Sequence, residues 1–165
     1  MGTSSRAAPG EPELAPGTIE TLQAATRVLA GVALHSVDVL DGAVTLPQFR
    51  MLAVLGELGP ARSVQVARAL GLEASTVTRL ADRMVGAGHV ARGGEPGHRG
   101  VVTLELTASG QELVRQVAAW REQELARIFQ QLPPAARAQV TTVLRQLVEA
   151  AGEGYGTISR SLVPV

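Results

Sequence analysis

The sequence predicts a mainly α fold with one small β hairpin, an α+β arrangement. Three observations lead there. Apolar residues recur at spacings of three and four along most of the chain, as they do on amphipathic helices. That rhythm breaks once, at about residues 89–106, into two short β-branched segments around a loop dense in turn formers. Gly and Pro signals at Asp41-Gly42, Gly59-Pro60, Gly71-Leu72 and Pro133-Pro134 cut the helical stretches into separate pieces.

Residues 1–17 are rich in Pro, Gly and Ala without a period, and read as a flexible N-terminal arm. From Thr18 the residues Ile19, Leu22, Thr26, Leu29, Ala33, Val37 and Leu40 form one stripe, which predicts a first helix over about 18–41. Thr45-Leu46-Pro47-Gln48 has the form of a capping box with Pro in the first turn. It opens a second helix with Phe49, Leu52 and Leu55 inward. A third helix is predicted over about 64–70 and a fourth over about 74–87. The hairpin strands are placed at 89–93 and 101–106. Thr107 caps a long fifth helix with Leu113, Val114, Val117, Leu125, Ile128, Phe129 and Leu132 at helical spacing. The last helix carries Val140, Val143, Leu144, Leu147 and Val148, ends at Gly152, and leaves residues 153–165 as a tail. Residues 18–152 thus read as one domain, with a central lobe over about 46–106 between terminal helices at about 18–41 and 107–151. The apolar stripes of those terminal helices have little within one subunit to cover them, which predicts a homodimer.

A chain of 165 residues suits one ordinary domain. It contains no cysteine, which removes disulfides, thiolate zinc sites and thiol-based redox sensing, and fits a cytoplasmic location. The longest apolar stretch, Leu22 to Leu40, is interrupted by Arg27, His35 and Asp38, so no membrane span is expected. The start of the chain lacks the apolar block of a signal peptide. Formal net charge is zero, yet its distribution is uneven: residues 62–100 hold six Arg (62, 68, 79, 83, 92 and 99) against three acids (Glu73, Asp82 and Glu95). A local positive field of that kind is what association with phosphate requires.

The stretch from Ser63 to Met84 has the layout of a helix-turn-helix. Ala67 is small where the two helices cross, and Gly71 stands at the turn, where a positive φ is often needed. Val77, Leu80 and Met84 form the inward stripe of the second helix. Its outward face carries Ser75, Thr76, Thr78, Arg79, Asp82 and Arg83. Hydroxyls near a helix N-terminus suit phosphate oxygens, and Arg79 and Arg83, one turn apart, suit base edges or flanking phosphates. The bland alternative is a solvated polar face. The adjoining hairpin argues for the first reading: Arg92 ends its first strand and Arg99 lies near its tip, where a cationic loop can enter a minor groove.

Four landmarks in order carry a family resemblance. They are Leu46-Pro47-Gln48-Phe49; Ser75-Thr76-Val77-Thr78-Arg79-Leu80-Ala81-Asp82-Arg83-Met84; Gly88-His89-Val90-Ala91-Arg92; and Leu106-Thr107-Ala108-Ser109-Gly110. The series resembles the MarR family over roughly residues 18–152. The resemblance implies a homodimer of winged helix-turn-helix lobes joined by terminal dimerisation helices. It also implies binding to double-stranded DNA at a palindromic operator, usually as a repressor, with release by a small-molecule effector. By family position Ser75, Thr76, Thr78, Arg79 and Arg83 would enter the major groove and Arg99 the minor groove. One departure stands out. The family wing usually carries Asp-x-Arg, whereas this one reads Gly97-His98-Arg99-Gly100, with Glu95 the nearest acid.

A ligand pocket, expected by analogy between lobe and terminal helices, has His35, Arg50 and Trp120 as candidates. His35 and Asp38 share a helix face but lack third and fourth ligands, so no metal is expected. No nucleotide loop, nucleophile elbow or paired carboxylate suggests an enzyme or a bound cofactor. The alternative function is a winged-helix module that binds protein partners and has no DNA affinity.

Overall fold

Helices occupy most of the chain because apolar side chains fall on one face of each, and the breaks fall where Gly and Pro stand. The computed structural model describes residues 14–94 and 101–152. Among these the order is α1 (Thr18–His35), α2 (Leu46–Leu58), α3 (Ser63–Leu70), α4 (Ala74–Gly86), β1 (Val90–Gly94), β2 (Val102–Leu106), α5 (Ala108–Gln130) and α6 (Pro134–Ala151). The architecture is the mainly α fold with one hairpin that the periodicity predicts. Residues 1–13 of the expected arm at 1–17, residues 95–100 of the expected hairpin loop and the expected tail at 153–165 lie outside the described residues.

The first helix is shorter than its stripe implies. It ends at His35, and residues 38–40 tighten into a 3-10 turn closed by Asp41 at φ 48°. Ser36 is the reason. Its hydroxyl donates to the Ala33 carbonyl at 2.7 Å and accepts from Arg121 Nη2 at 2.8 Å, so the chain bends at a buried polar anchor. Beyond the bend Val37 and Leu40 turn into the core.

That core forms where α2, α3, α4, the hairpin and the front of α5 meet. Phe49, Met51, Leu52 and Leu55 of α2 are almost wholly buried, with Val66 of α3, Val77 and Met84 of α4, Val90 and Leu104 of the hairpin, and Val117 of α5. Each such aliphatic or aromatic side chain contributes about 1.5–3 kcal/mol on leaving water. At the start of α2 the Gln48 side chain accepts from the Thr45 N–H at 2.7 Å, the reciprocal half of the predicted capping box. The strands pair antiparallel, with Val90 opposite Leu106 and Arg92 opposite Leu104. Ala61 joins on the far side of Leu104 through two backbone bonds of 3.0 and 2.8 Å.

Contacts divide the chain into two units between Gly31 and Val32. In the first, residues 14–31 bury nothing, and Ile19, Leu22, Val28 and Leu29 are exposed. In the second, α6 also buries no residue, and Val143, Leu144, Leu147 and Val148 are exposed. Arg137 sets the α5–α6 junction, donating to the carbonyls of Leu132 (2.8 Å) and Gln130 (2.6 Å) at the end of α5. No described helix is long and apolar enough to cross a membrane.

Candidate nucleic-acid interface

The interface is built on the turn between α3 and α4. Gly71 adopts φ 65°, and its N–H reaches the carbonyls of Ala67 and Arg68. The Leu72 N–H bonds Ala67 O at 3.0 Å. This is a Schellman ending, which requires a left-handed residue that glycine supplies without a Cβ clash. Ala67 is buried at the crossing, as its small size predicts.

α4 then turns Val77, Leu80, Ala81 and Met84 inward. Ser75, Thr78, Arg79, Asp82 and Arg83 are exposed and Thr76 is partly so. One hydroxyl is less available than the sequence suggests. Thr78 Oγ1 donates to the Ala74 carbonyl of its own helix at 3.0 Å. A phosphate oxygen needs a donor, so Thr78 must release that bond before it can serve one.

Behind α4 the hairpin is fastened at its root. His89 N–H bonds Met84 O at 2.9 Å, and Thr107 N–H bonds His89 O at 3.1 Å. Thr107 Oγ1 donates to Gly88 O at 2.7 Å and accepts from the Gly110 N–H at 3.2 Å. The His89 ring meets Ser109 Oγ at 2.9 Å. The end of α4, the start of β1 and the first turn of α5 therefore share one hydrogen-bonded knot, which fixes the hairpin relative to the helix. Arg92 of β1 crosses back to form an ion pair with Asp82 of α4.

These features are a helix-turn-helix with a rooted hairpin behind it. The sequence profile of the MarR family matches residues 44–99, from just before α2 into the wing. A solved structure, RV1404 from Mycobacterium tuberculosis, is 36% identical, with a TM-score of 0.77 over 88% of this chain and 100% of that one. A MarR family protein from Bacillus stearothermophilus is 26% identical, with a TM-score of 0.69 over 82% of this chain and 96% of that one. The chain belongs to the MarR family. A Bacillus subtilis relative, the uncharacterized HTH-type transcriptional regulator YsmB, is 34% identical over 88 residues. That match spans 53% of this chain and 60% of the length of YsmB.

In the MarR fold α4 is the second helix of the helix-turn-helix, and the hairpin follows it. Ser75, Thr76, Thr78, Arg79 and Arg83 share one exposed or partly exposed face of α4. Arg92 adjoins that face through Asp82. Arg99 lies outside the described residues. The three ligand candidates are placed differently. His35 is exposed at the end of α1, and Trp120 is partly buried on α5. Arg50 Nη2 donates to Leu70 O at 3.4 Å, at the C-terminal end of α3. A cleft of about 350 Å³ is lined by Leu55, Gly56, Pro60, Glu105, Leu106 and Gln111 among others, and by none of the three.

Two features escape a reading by periodicity: the burial of Arg121 and the pairing of Asp82 with Arg92. Arg121 is 5% exposed, and burial pushes its guanidinium below the ordinary arginine value because desolvation disfavours the charged form. Its position four residues after the buried Val117 placed it on the inward face, a signal hidden by its charge. Asp82 was visible on the outward face. Its partner was not, because ten residues and a change of element separate it from Arg92.

Proposed function

We propose that this MarR-family chain is a sequence-specific DNA-binding transcription regulator. It works as a homodimer on a pseudo-palindromic operator, acts as a cytoplasmic repressor, and is released by a small-molecule ligand. The observation that carries the reading is the outward face of α4, where Arg79 and Arg83 stand exposed one turn apart beyond Ser75 and Thr76. Exposed apolar residues on α1 and α6 support the dimer. Two recognition helices held by such a dimer would meet successive major grooves about 34 Å apart. Ser75, Thr76, Thr78, Arg79 and Arg83 would contact the major groove, and Arg92 and Arg99 the backbone and minor groove. Ligand control is typical of the family, and His35, Arg50 and Trp120 remain the candidates for the pocket.

The test is operator affinity against salt concentration, with DNA first selected from a random pool. Arg79→Ala should weaken binding by about 10-fold, and Arg99→Ala should lower the salt slope by about 0.9. If neither change affects affinity or slope, the groove assignments are wrong.

A second reading, a winged-helix module for protein partners, is favoured by zero net charge and by the neutralisation of Arg92 by Asp82. Failure of random-pool selection to enrich any sequence would favour it.

A further inference from the structure

The Asp82–Arg92 pair lies at the root of the wing, and three features of its placement give it a role. The first is register. Asp82 stands four residues after Thr78 and three after Arg79, so its carboxylate shares the face that a duplex would approach. An anion there, left to itself, repels phosphate. The second is strand alternation. Val90, Arg92 and Gly94 fall on one face of β1, and Val90 is buried against the core. Arg92 is thus the next side chain on the face that packs towards α4. The third is the bare end of the strand. Gly93 and Gly94 have no side chains, so Arg92 is the last residue of β1 able to grip the helix.

We propose that Asp82 is a positioning residue for DNA reading. It holds Arg92, and with it the base of the wing, against the recognition helix, so that Arg92 acts through Asp82 and is no independent phosphate contact. The proposal rests on the DNA-binding reading above and revises its assignment of Arg92. The pair also cancels the charge of Asp82 where a phosphate would pass. Both side chains are about half exposed, 48% for Arg92 and 55% for Asp82, so in water the pair adds little to folding stability. Docking of a duplex strips that water away. An Asp82 carboxylate left without its arginine would then face the phosphates unpaired and repel them.

The experiment is a double-mutant cycle in the full chain with Asp82→Asn, Arg92→Gln and both together. The probe is duplex DNA enriched from a random pool by the wild-type protein. Arg92→Gln should weaken binding about 10-fold alone but less than about 2-fold when Asp82→Asn is already present, as coupled neighbours do. The exchanged pair, Asp82→Arg with Arg92→Asp, should bind better than either of its component changes. Without DNA, amide hydrogen exchange in β1 and β2 should quicken in each single variant and no further in the double, while thermal midpoints stay close to wild type. If Arg92→Gln costs the same in both backgrounds and lowers the salt slope by about 0.9 in each, Arg92 is a direct phosphate contact and the proposal falls. Unchanged amide exchange in both single variants overturns it as well. A wild-type chain that enriches no DNA overturns the DNA-binding reading and this inference together; binding with additive changes overturns only the inference.

Discussion

At Gly110 a Cβ would stand 2.1 Å from the His89 carbonyl oxygen and 3.2 Å from Leu106 Cδ2. The first contact is with backbone, which cannot swing aside, so the opening turn of α5 and the start of β1 can pack this closely only around glycine. This gives a physical cause for the spacing of Thr107 and Gly110 in the last sequence landmark: the threonine caps the helix and the glycine lets it approach. Gly110→Ala should destabilise the fold by about 3 kcal/mol, the upper range for overpacking, and equilibrium denaturation will measure it. Gly71 was legible from its place in the turn, because a left-handed residue is a local requirement. Gly110 was not, because its constraint comes from a carbonyl 21 residues earlier in the chain.

Among the elements, α5 depends on its first residues more than on its long stripe. The Thr107 hydroxyl serves two elements at once, donating to Gly88 at the end of α4 and accepting from Gly110. Thr107→Val keeps shape and removes both bonds. It should cost about 1–2 kcal/mol in denaturation, as loss of an N-cap does, and quicken amide exchange at His89 and Val90. The reverse lesson comes from α1. Its apolar stripe continues through Val37 and Leu40, yet the helix stops at His35. Periodicity records which residues turn towards a common core, and a 3-10 turn can deliver Val37 and Leu40 to that core as well as a sixth helical turn could. The deciding contact, Ser36 with Arg121, joins residues 85 apart in sequence.

At the scale of the whole molecule, the exposed apolar face of α6 bears on assembly. Leu144 and Val148 lie one turn apart on α6, 46% and 71% exposed, on a helix that buries nothing. If α6 joins two copies, Leu144→Glu with Val148→Glu places two carboxylates in an apolar interface. The double variant should then sediment as a monomer at concentrations where wild type is a dimer, and lose at least about 10-fold in affinity for selected DNA, since one recognition helix would remain per particle. Helical content should stay near wild type, because neither side chain belongs to the core of the described chain. Equal sedimentation of both proteins would move the interface away from this face of α6.

Element types, their order and the outward polar face of α4 are written in the chain, because helical and strand periods, caps and turn residues act over a few neighbouring positions. Val77, Leu80 and Met84 could be assigned inward, and Arg79 and Arg83 outward, from spacing alone. Contacts across distant positions were settled only by folding. The burial of Arg121 on Ser36, the seat of Gly110 on His89 and the capture of Arg92 by Asp82 each join two separate elements. No local pattern encodes such a meeting; it exists only once the core has brought the elements together.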